Sequence, residues 1–239
     1  MGVRWLFSDR LGGVSSAPYE SLNVAHHVGD VPEAVASNRD LLLARLSTSA
    51  PVRLVFMDQV HGDRVAVIDA AHSAVTSAEA PAAIDGMVTA SQGVALVVMV
   101  ADCVPVLLAD PVAGVVAGVH AGRPGLRARI VVKAVEAMAG LGAEPGRTQA
   151  WLGPSVCPAC YEVPEEMRAD VAEVAPASWS TSRTGTPALD LRAGLTAELE
   201  ALGARVTSVG PCTAESPDHF SYRRDGRTGR FAGVVWLEP

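Results

Sequence analysis

A mixed fold of α/β or α+β class in one domain is what this chain predicts, and three observations carry the expectation. Apolar runs of strand length alternate with helix-length amphipathic segments. Several of the runs are continuous rather than alternating, so both faces of their sheet are expected to be covered. The 239 residues, 49% hydrophobic and 19% charged, supply one good core with no long polar linker to divide it, which predicts a single domain over residues 1–239.

In chain order, Pro32 to Leu46 reads as a helix, with Asp30 and Glu33 spaced as a capping box. Val52–Met57, Val65–Ile68, Val94–Val100, Val104–Ala109 and Val115–Val119 read as strands. Asp110-Pro111-Val112-Ala113-Gly114 has the residues of a tight connection, so the last two strands form a hairpin. Leu126, Ile130, Val131, Ala134, Val135, Met138 and Leu141 follow helical spacing, with Gly142 as the stop. A stretch rich in Ser, Thr, Pro and Ala, Ala175–Pro187, reads as a flexible loop. A helix over Leu191–Leu202 follows, capped by Asp190 and closed by Gly203, and then strands at Val206–Val209 and Phe231–Leu237.

Composition narrows the function. The net charge of −7 is spread without a long run of either sign, which argues against nucleic acid as a partner. The opening "MGVRWLFSDR" meets Arg4, Asp9 and Arg10 before an apolar stretch develops, and the Val94–Ala109 run is broken by Asp102 and Pro105. A cytoplasmic protein without a membrane span is expected. Four cysteines are too few for a disulfide scaffold and leave metal or nucleophile roles open. Cys157-Pro158-Ala159-Cys160 reads as two packed thiols, because a structural zinc wants a second pair and only Cys212 is left.

His61 in "DQVHG", Cys103 in "VVMVADCVPVLLADP" and His120 in "GVVAGVHAGRPG" stand at the edges of apolar runs. His61 lies 42 residues before Cys103 and His120 lies 17 after it, so a shared site must be assembled by the fold. The expected hairpin places Cys103 and His120 at the same end. Imidazole and thiolate suit zinc, and three protein ligands with an open fourth position are how a catalytic zinc is held. Taken singly, each of these side chains reads as ordinary packing; in combination they point to a metal-dependent enzyme.

Asp102 adds weight, because a carboxylate inside an apolar run is costly unless paired or put to use. Strand alternation turns it away from Cys103, toward support of the site or contact with substrate. In "HAGRPG" glycines bracket Arg123 just before a helix, a setting that suits phosphate as well as an ordinary turn. Two further loops, around Arg10, Gly12 and Gly13 and around Tyr222, Arg223, Arg224 and Arg230, can grip phosphate or sugar. His219 is a further candidate ligand or acid, as are His26, His27 and His72, each with little local signal.

With these residues laid out, the chain resembles the YfiH family of purine nucleoside phosphorylases, long labelled multicopper polyphenol oxidases or laccase-domain proteins. The matching motifs are "DRLGGVS", "SLNVAHHVGD" with "NRD", "DQVHG", "ADCVPVLLADP", "VHAG", "GPSVCPACYEV" and "CTAESPDHFSYRRDGRTGR", running from residue 8 to 230. The resemblance implies a mixed-sheet α/β sandwich similar to a toxin cysteine-hydrolase fold, and zinc held by His61, Cys103 and His120. It also implies phosphorolysis of adenosine, inosine and methylthioadenosine with inorganic phosphate, and adenosine deamination at the same site. The family commonly has Trp-Arg after "HAG", whereas Arg123-Pro124 stands here, so Arg10 becomes the preferred anion contact and Arg123 the second. Asp102 is a candidate proton donor to the leaving purine. Copper is the alternative metal, since a His₂Cys set resembles a blue-copper centre, although six histidines with no His-x-His pair do not build a multi-copper cluster. A metal-free hydrolase with His120 activating Cys103 is the other alternative.

Overall fold

The structure, a computed structural model, describes residues 2–46, 48–69 and 83–238. In chain order these form β1 (Gly2–Phe7), α1 (Pro32–Arg45), β2 (Arg53–Val55), β3 (Val65–Val67), β4 (Gly86–Thr89), β5 (Val94–Val100), β6 (Val104–Asp110) and β7 (Val115–Ala121). Then come α2 (Arg123–Arg127), α3 (Ile130–Ala139), β8 (Gln149–Leu152), α4 (Glu165–Val174), β9 (Trp179–Thr181) and β10 (Pro187–Leu189). α5 (Leu191–Ala201), β11 (Arg205–Ser208), α6 (Tyr222–Asp225) and β12 (Phe231–Glu238) complete it. Among the described residues no helix is long and apolar enough to cross a membrane.

Two mixed sheets are formed, one four-stranded in the order β1-β12-β5-β2 and one six-stranded in the order β11-β8-β6-β7-β4-β3. Strand alternation sorts their side chains into three apolar layers. Leu96, Val98 and Val100 of β5 and Val235 of β12 meet Leu107 of β6 and Val116 of β7 between the sheets. The intervening Ala95, Val97 and Val234 turn outward and are covered by Leu42 of α1. On the other outer face, Val106, Leu108, Ala117 and Val119 pack under Leu126, Ile130, Met138, Leu195 and Leu199. The molecule is therefore an α/β/β/α sandwich. Apart from Asp110 and His120, β5, β6 and β7 are apolar because each is buried on both faces, and each fully buried Val or Leu contributes about 1.5–3 kcal/mol of transfer free energy.

The sandwich fold is borne out, while several elements differ from expectation. The helix expected from Leu126 is divided, because Arg129 adopts a left-handed φ of 57° between α2 and α3; the turn lets Leu126 and Ile130 both reach the core fully buried. Asp30 does not cap α1. Its carboxylate instead accepts from Ser15 Oγ and Asn23 Nδ2, and Val31 is the cap, without a side-chain bond. Ala175–Pro187 is not an irregular loop: it carries most of the β9–β10 hairpin, whose hydroxyls at Ser182, Thr184 and Thr186 bond one another, with Ser182 and Thr184 donating to Glu162. β1, β4, β8 and α4, too short or too polar to stand out, are additional. Asp190 caps α5 as expected, accepting from Ala193 N at 2.9 Å.

The connections decide where chemistry can sit. The chain passes from the four-stranded to the six-stranded sheet between β2 and β3 and again between β5 and β6, and it returns between β4 and β5 and between β11 and β12. His61, Cys103 and the Tyr222–Arg230 segment lie on three of these four crossings.

Candidate active site

Cys103 follows the bend at Ala101 and Asp102 that carries the chain from β5 into β6. The β6–β7 register pairs Pro105 with His120. Val119 and Ala121 face the helical layer, so His120 between them points into the space between the sheets. His61 arrives from the β2–β3 crossing. One ligand atom from each of the three lies within 4.8 Å of the others. Cys103 Sγ is 3.7 Å from His61 Nε2, and the imidazole rings meet edge-on with centroids 4.7 Å apart.

Asp85, fully buried at the start of β4, organises the trio. Its Oδ1 accepts from His120 Nδ1 at 2.7 Å and from the His61 N–H at 3.0 Å, and its Oδ2 accepts from the Gly62 and Val60 amides at 2.6 and 3.2 Å. With Nδ1 engaged, His120 presents Nε2 to Cys103 and His61. Four hydrogen bonds to one carboxylate also hold His61 at φ 61°, a conformation that few side chains adopt unaided. Gly122 completes the cradle. A Cβ there would lie 2.9 Å from Cys103 Sγ and 3.1 Å from His61 Cδ2.

Burial by itself pushes the Cys103 thiol up, yet the charge and hydrogen bond of His120, with a bond from His61, outweigh it and bring the thiol down to about 6. Burial likewise opposes a charge on His120, but the Cys103 thiolate and Asp85 raise it to about 9. Asp85 is held low despite burial, by the His120 bond and the Gly62 amide. Without a metal the pair is thus a Cys103 thiolate beside a His120 imidazolium; a borderline-soft divalent ion that displaced the His120 proton would find thiolate sulfur and two ring nitrogens as donors. The residues present fit a metal of that kind.

Around the trio opens a cavity of about 610 Å³, the size of a site for a small ligand. Met99, Val100 and Ala101 form an apolar wall; His27, Gln59, Tyr161, Tyr222, Arg223 and Arg230 supply polar groups. Tyr222 is exposed, and the Arg223 guanidinium lies 5.1 Å from the centre of the Tyr161 ring. Asp102 lines the cavity as well, at φ 97°. Its oxygens accept from Thr213 Oγ1 and from the Arg223 N–H, both at 2.6 Å, so it fixes the start of α6 rather than facing Cys103.

Other expected site residues lie elsewhere. Arg10 lines a separate cleft with Glu20, Arg224 and Asp225; its Nε donates to Glu20 O at 2.6 Å, and its guanidinium sits 4.6 Å over Phe220. Arg123 opens α2 directly after Gly122, and its charge reaches Tyr161 of the cavity wall. His219 bonds Ser216 Oγ and packs on Phe231, so it does not close the trio's coordination. His72 lies outside the described residues. Sequence reasoning missed Asp85, Gln59 and Tyr161 and gave His27 little weight. Asp85 had a usable signal, a carboxylate in "AIDGMVT" at the edge of an apolar run, whereas the other three carry none without the fold.

A family model described as multi-copper polyphenol oxidoreductase laccase matches residues 4–238. The chain belongs to this laccase-domain family. A protein of Streptomyces coelicolor named purine nucleoside phosphorylase is 56% identical over 99% of this chain and 96% of its own length. One of Corynebacterium glutamicum, with the same name, is 50% identical over 98% and 94%. Among solved structures, the YfiH protein of Bacillus licheniformis aligns with a TM-score of 0.89 at 31% identity, covering 99% of this chain and 93% of that one. A Neisseria meningitidis protein aligns at 0.87 and 33%, covering 99% and 95%. Membership in the YfiH family, read from the motifs, is thereby borne out. Relatives this similar, matched over nearly all of their length, support an enzyme of the kind they are named for.

Proposed function

We propose that this laccase-domain chain is a zinc-dependent purine nucleoside phosphorylase that also deaminates adenosine. The observation that carries the reading is the His61–Cys103–His120 trio facing a nucleoside-sized cavity. Inosine, adenosine and methylthioadenosine with inorganic phosphate are its substrates, the free base and a ribose 1-phosphate its products. When bound, the ion supplies a Lewis acid with a coordination position left for substrate or water. Zinc is preferred over copper because the trio is the only histidine-containing group of this kind among the described residues.

The chain's own residues supply the rest. Met99, Val100 and Ala101 give the purine an apolar seat, and Tyr222 at the mouth offers a ring for it to stack on. Phosphate falls to Arg223 and Arg230, the guanidinium groups that line the cavity, in place of Arg10 and Arg123. Asp102 orients Arg223 by accepting its backbone N–H and is a positioning residue. Phosphorolysis passes through an oxocarbenium-like state, which a phosphate held beneath the ribose stabilises electrostatically.

Incubating the protein with inosine and phosphate and following ribose 1-phosphate tests this. Phosphate-dependent product is expected, falling at least 100-fold in Cys103→Ser and His61→Ala. No such product from any purine nucleoside, with zinc confirmed bound, rejects the phosphorylase reading. Copper at full occupancy in protein purified without added copper rejects zinc.

One observation favours a second reading, a metal-free hydrolase: Cys103, His120 and Asp85 line up as nucleophile, base and orienting carboxylate. His61 at 3.7 Å from the sulfur then has no task. Alkylation of Cys103 separates the two. Protection by zinc supports the metal site, and equal labelling with and without chelator supports the hydrolase.

A further inference from the structure

Cys157 and Cys160, which the sequence leaves without a second pair, meet Cys212 in the folded chain. The three sulfurs lie within 4.8 Å of one another, and none is in a disulfide. A short 3-10 turn, Pro158–Cys160, brings Cys160 back beside Cys157, and the Cys157 N–H donates to Cys212 Sγ at 3.2 Å. A bridge between Ser155 and Cys212, with the Thr213 N–H donating to Ser155 O at 3.1 Å, locks the two segments together. Beside the group, Cys160 Sγ is 3.6 Å from Glu215 Oε1.

We propose that Cys157, Cys160 and Cys212 form a second metal site, separate from the His61–Cys103–His120 trio, that takes a thiophilic divalent cation, zinc above all, through three sulfur donors. Three sulfurs select against magnesium and calcium, which want oxygen. Three sulfurs hold the ion and leave its fourth position to solvent. A Cys-x-x-Cys turn with a distant third cysteine and an N–H aimed at a sulfur is how such a shell is built. Binding converts three thiols to thiolates and releases their protons. The resulting negative charge has partners at hand: Arg183 pairs with Glu215, and Arg192, held by the Gly210 and Pro211 carbonyls, is close enough for Cys157 and Cys212 to act on its charge.

The site would also brace the catalytic crossing. The Val156 N–H donates to Asp102 O and Thr213 Oγ1 to Asp102 Oδ1, so the two cysteine-bearing segments grip the residue next to Cys103. The inference stands whether or not the chain is a phosphorylase.

Zinc content of the full chain, loaded with zinc and desalted, tests it. Two equivalents are expected in the wild type, one in Cys157→Ser/Cys160→Ser/Cys212→Ser, and one in His61→Ala/His120→Ala. Should the triple variant fold poorly, Cys103→Ser carries only the three cluster thiols and answers alone. Loaded with cobalt, it is expected to show an intense thiolate-to-cobalt charge-transfer band, and zinc should protect all three thiols from alkylation. An unchanged zinc count in the triple variant overturns the proposal. So does cobalt uptake by Cys103→Ser without that band, or a disulfide among the three in protein isolated under air.

Discussion

At Asp85 one carboxylate sets the ring orientation of His120, the backbone of His61 and the donor character of Cys103. Replacing it with Asn keeps the shape but removes the charge and one acceptor, and residues supporting a metal ligand typically cost 10–100-fold in affinity. Asp85→Asn is therefore expected to release zinc at a 10–100-fold lower concentration of a competing chelator. Gly122→Ala is expected to separate Cys103 Sγ from His61 without disturbing the fold, since the clash is confined to those two side chains. It should bind zinc at least 10-fold more weakly while its melting temperature in chelator matches the wild type. The trio itself was legible in the sequence because each member interrupts or ends an apolar run. Asp85, His27 and Tyr161 were not, because their meaning lies in distances that only tertiary structure creates.

The β6–β7 hairpin was the most legible element, and its turn shows why. Asp110 is fully buried and accepts from the Val112, Ala113 and Glu144 amides and from Arg147. Burial alone would raise its pKa; Arg147 and the three amides outweigh that and draw it down to about 2. The folded value lies below the unfolded one of about 3.9, so the stabilisation is complete above the unfolded value and fades as pH falls from about 4 to about 2. Asp110→Asn is expected to lose about 2 kcal/mol at pH 7 and to flatten the acid limb of stability, read from urea melts at pH 7 and pH 3. The α2–α3 break and the β9–β10 hairpin were illegible for opposite reasons. Helical spacing continues through Arg129, because the periodicity records which residues are apolar and not the φ that lets them reach the core. The Ser- and Thr-rich stretch resembles a loop because its order comes from hydroxyls bonding one another, which composition does not reveal.

Over the whole molecule, covering of both sheet faces was anticipated from the continuous apolar runs and the sandwich from the family resemblance, while the division into two sheets was not legible in the strand patterns. Strand patterns carry no mark of which sheet a strand joins. The inter-sheet layer should dominate stability: Leu107→Ala, fully buried between the sheets, is expected to cost 2–5 kcal/mol in denaturant melts, with zinc stoichiometry unchanged. The passage of the chain between the sheets has a mechanical consequence. Slippage of one β layer over the other would pull His61, Cys103 and His120 out of reach of a common centre, so a bound ion works as a rivet through both layers. Saturating zinc at 1,000 times its dissociation constant should then add about 4 kcal/mol against unfolding, and mutations far away that loosen the packing of the layers should betray themselves first as leakage of metal.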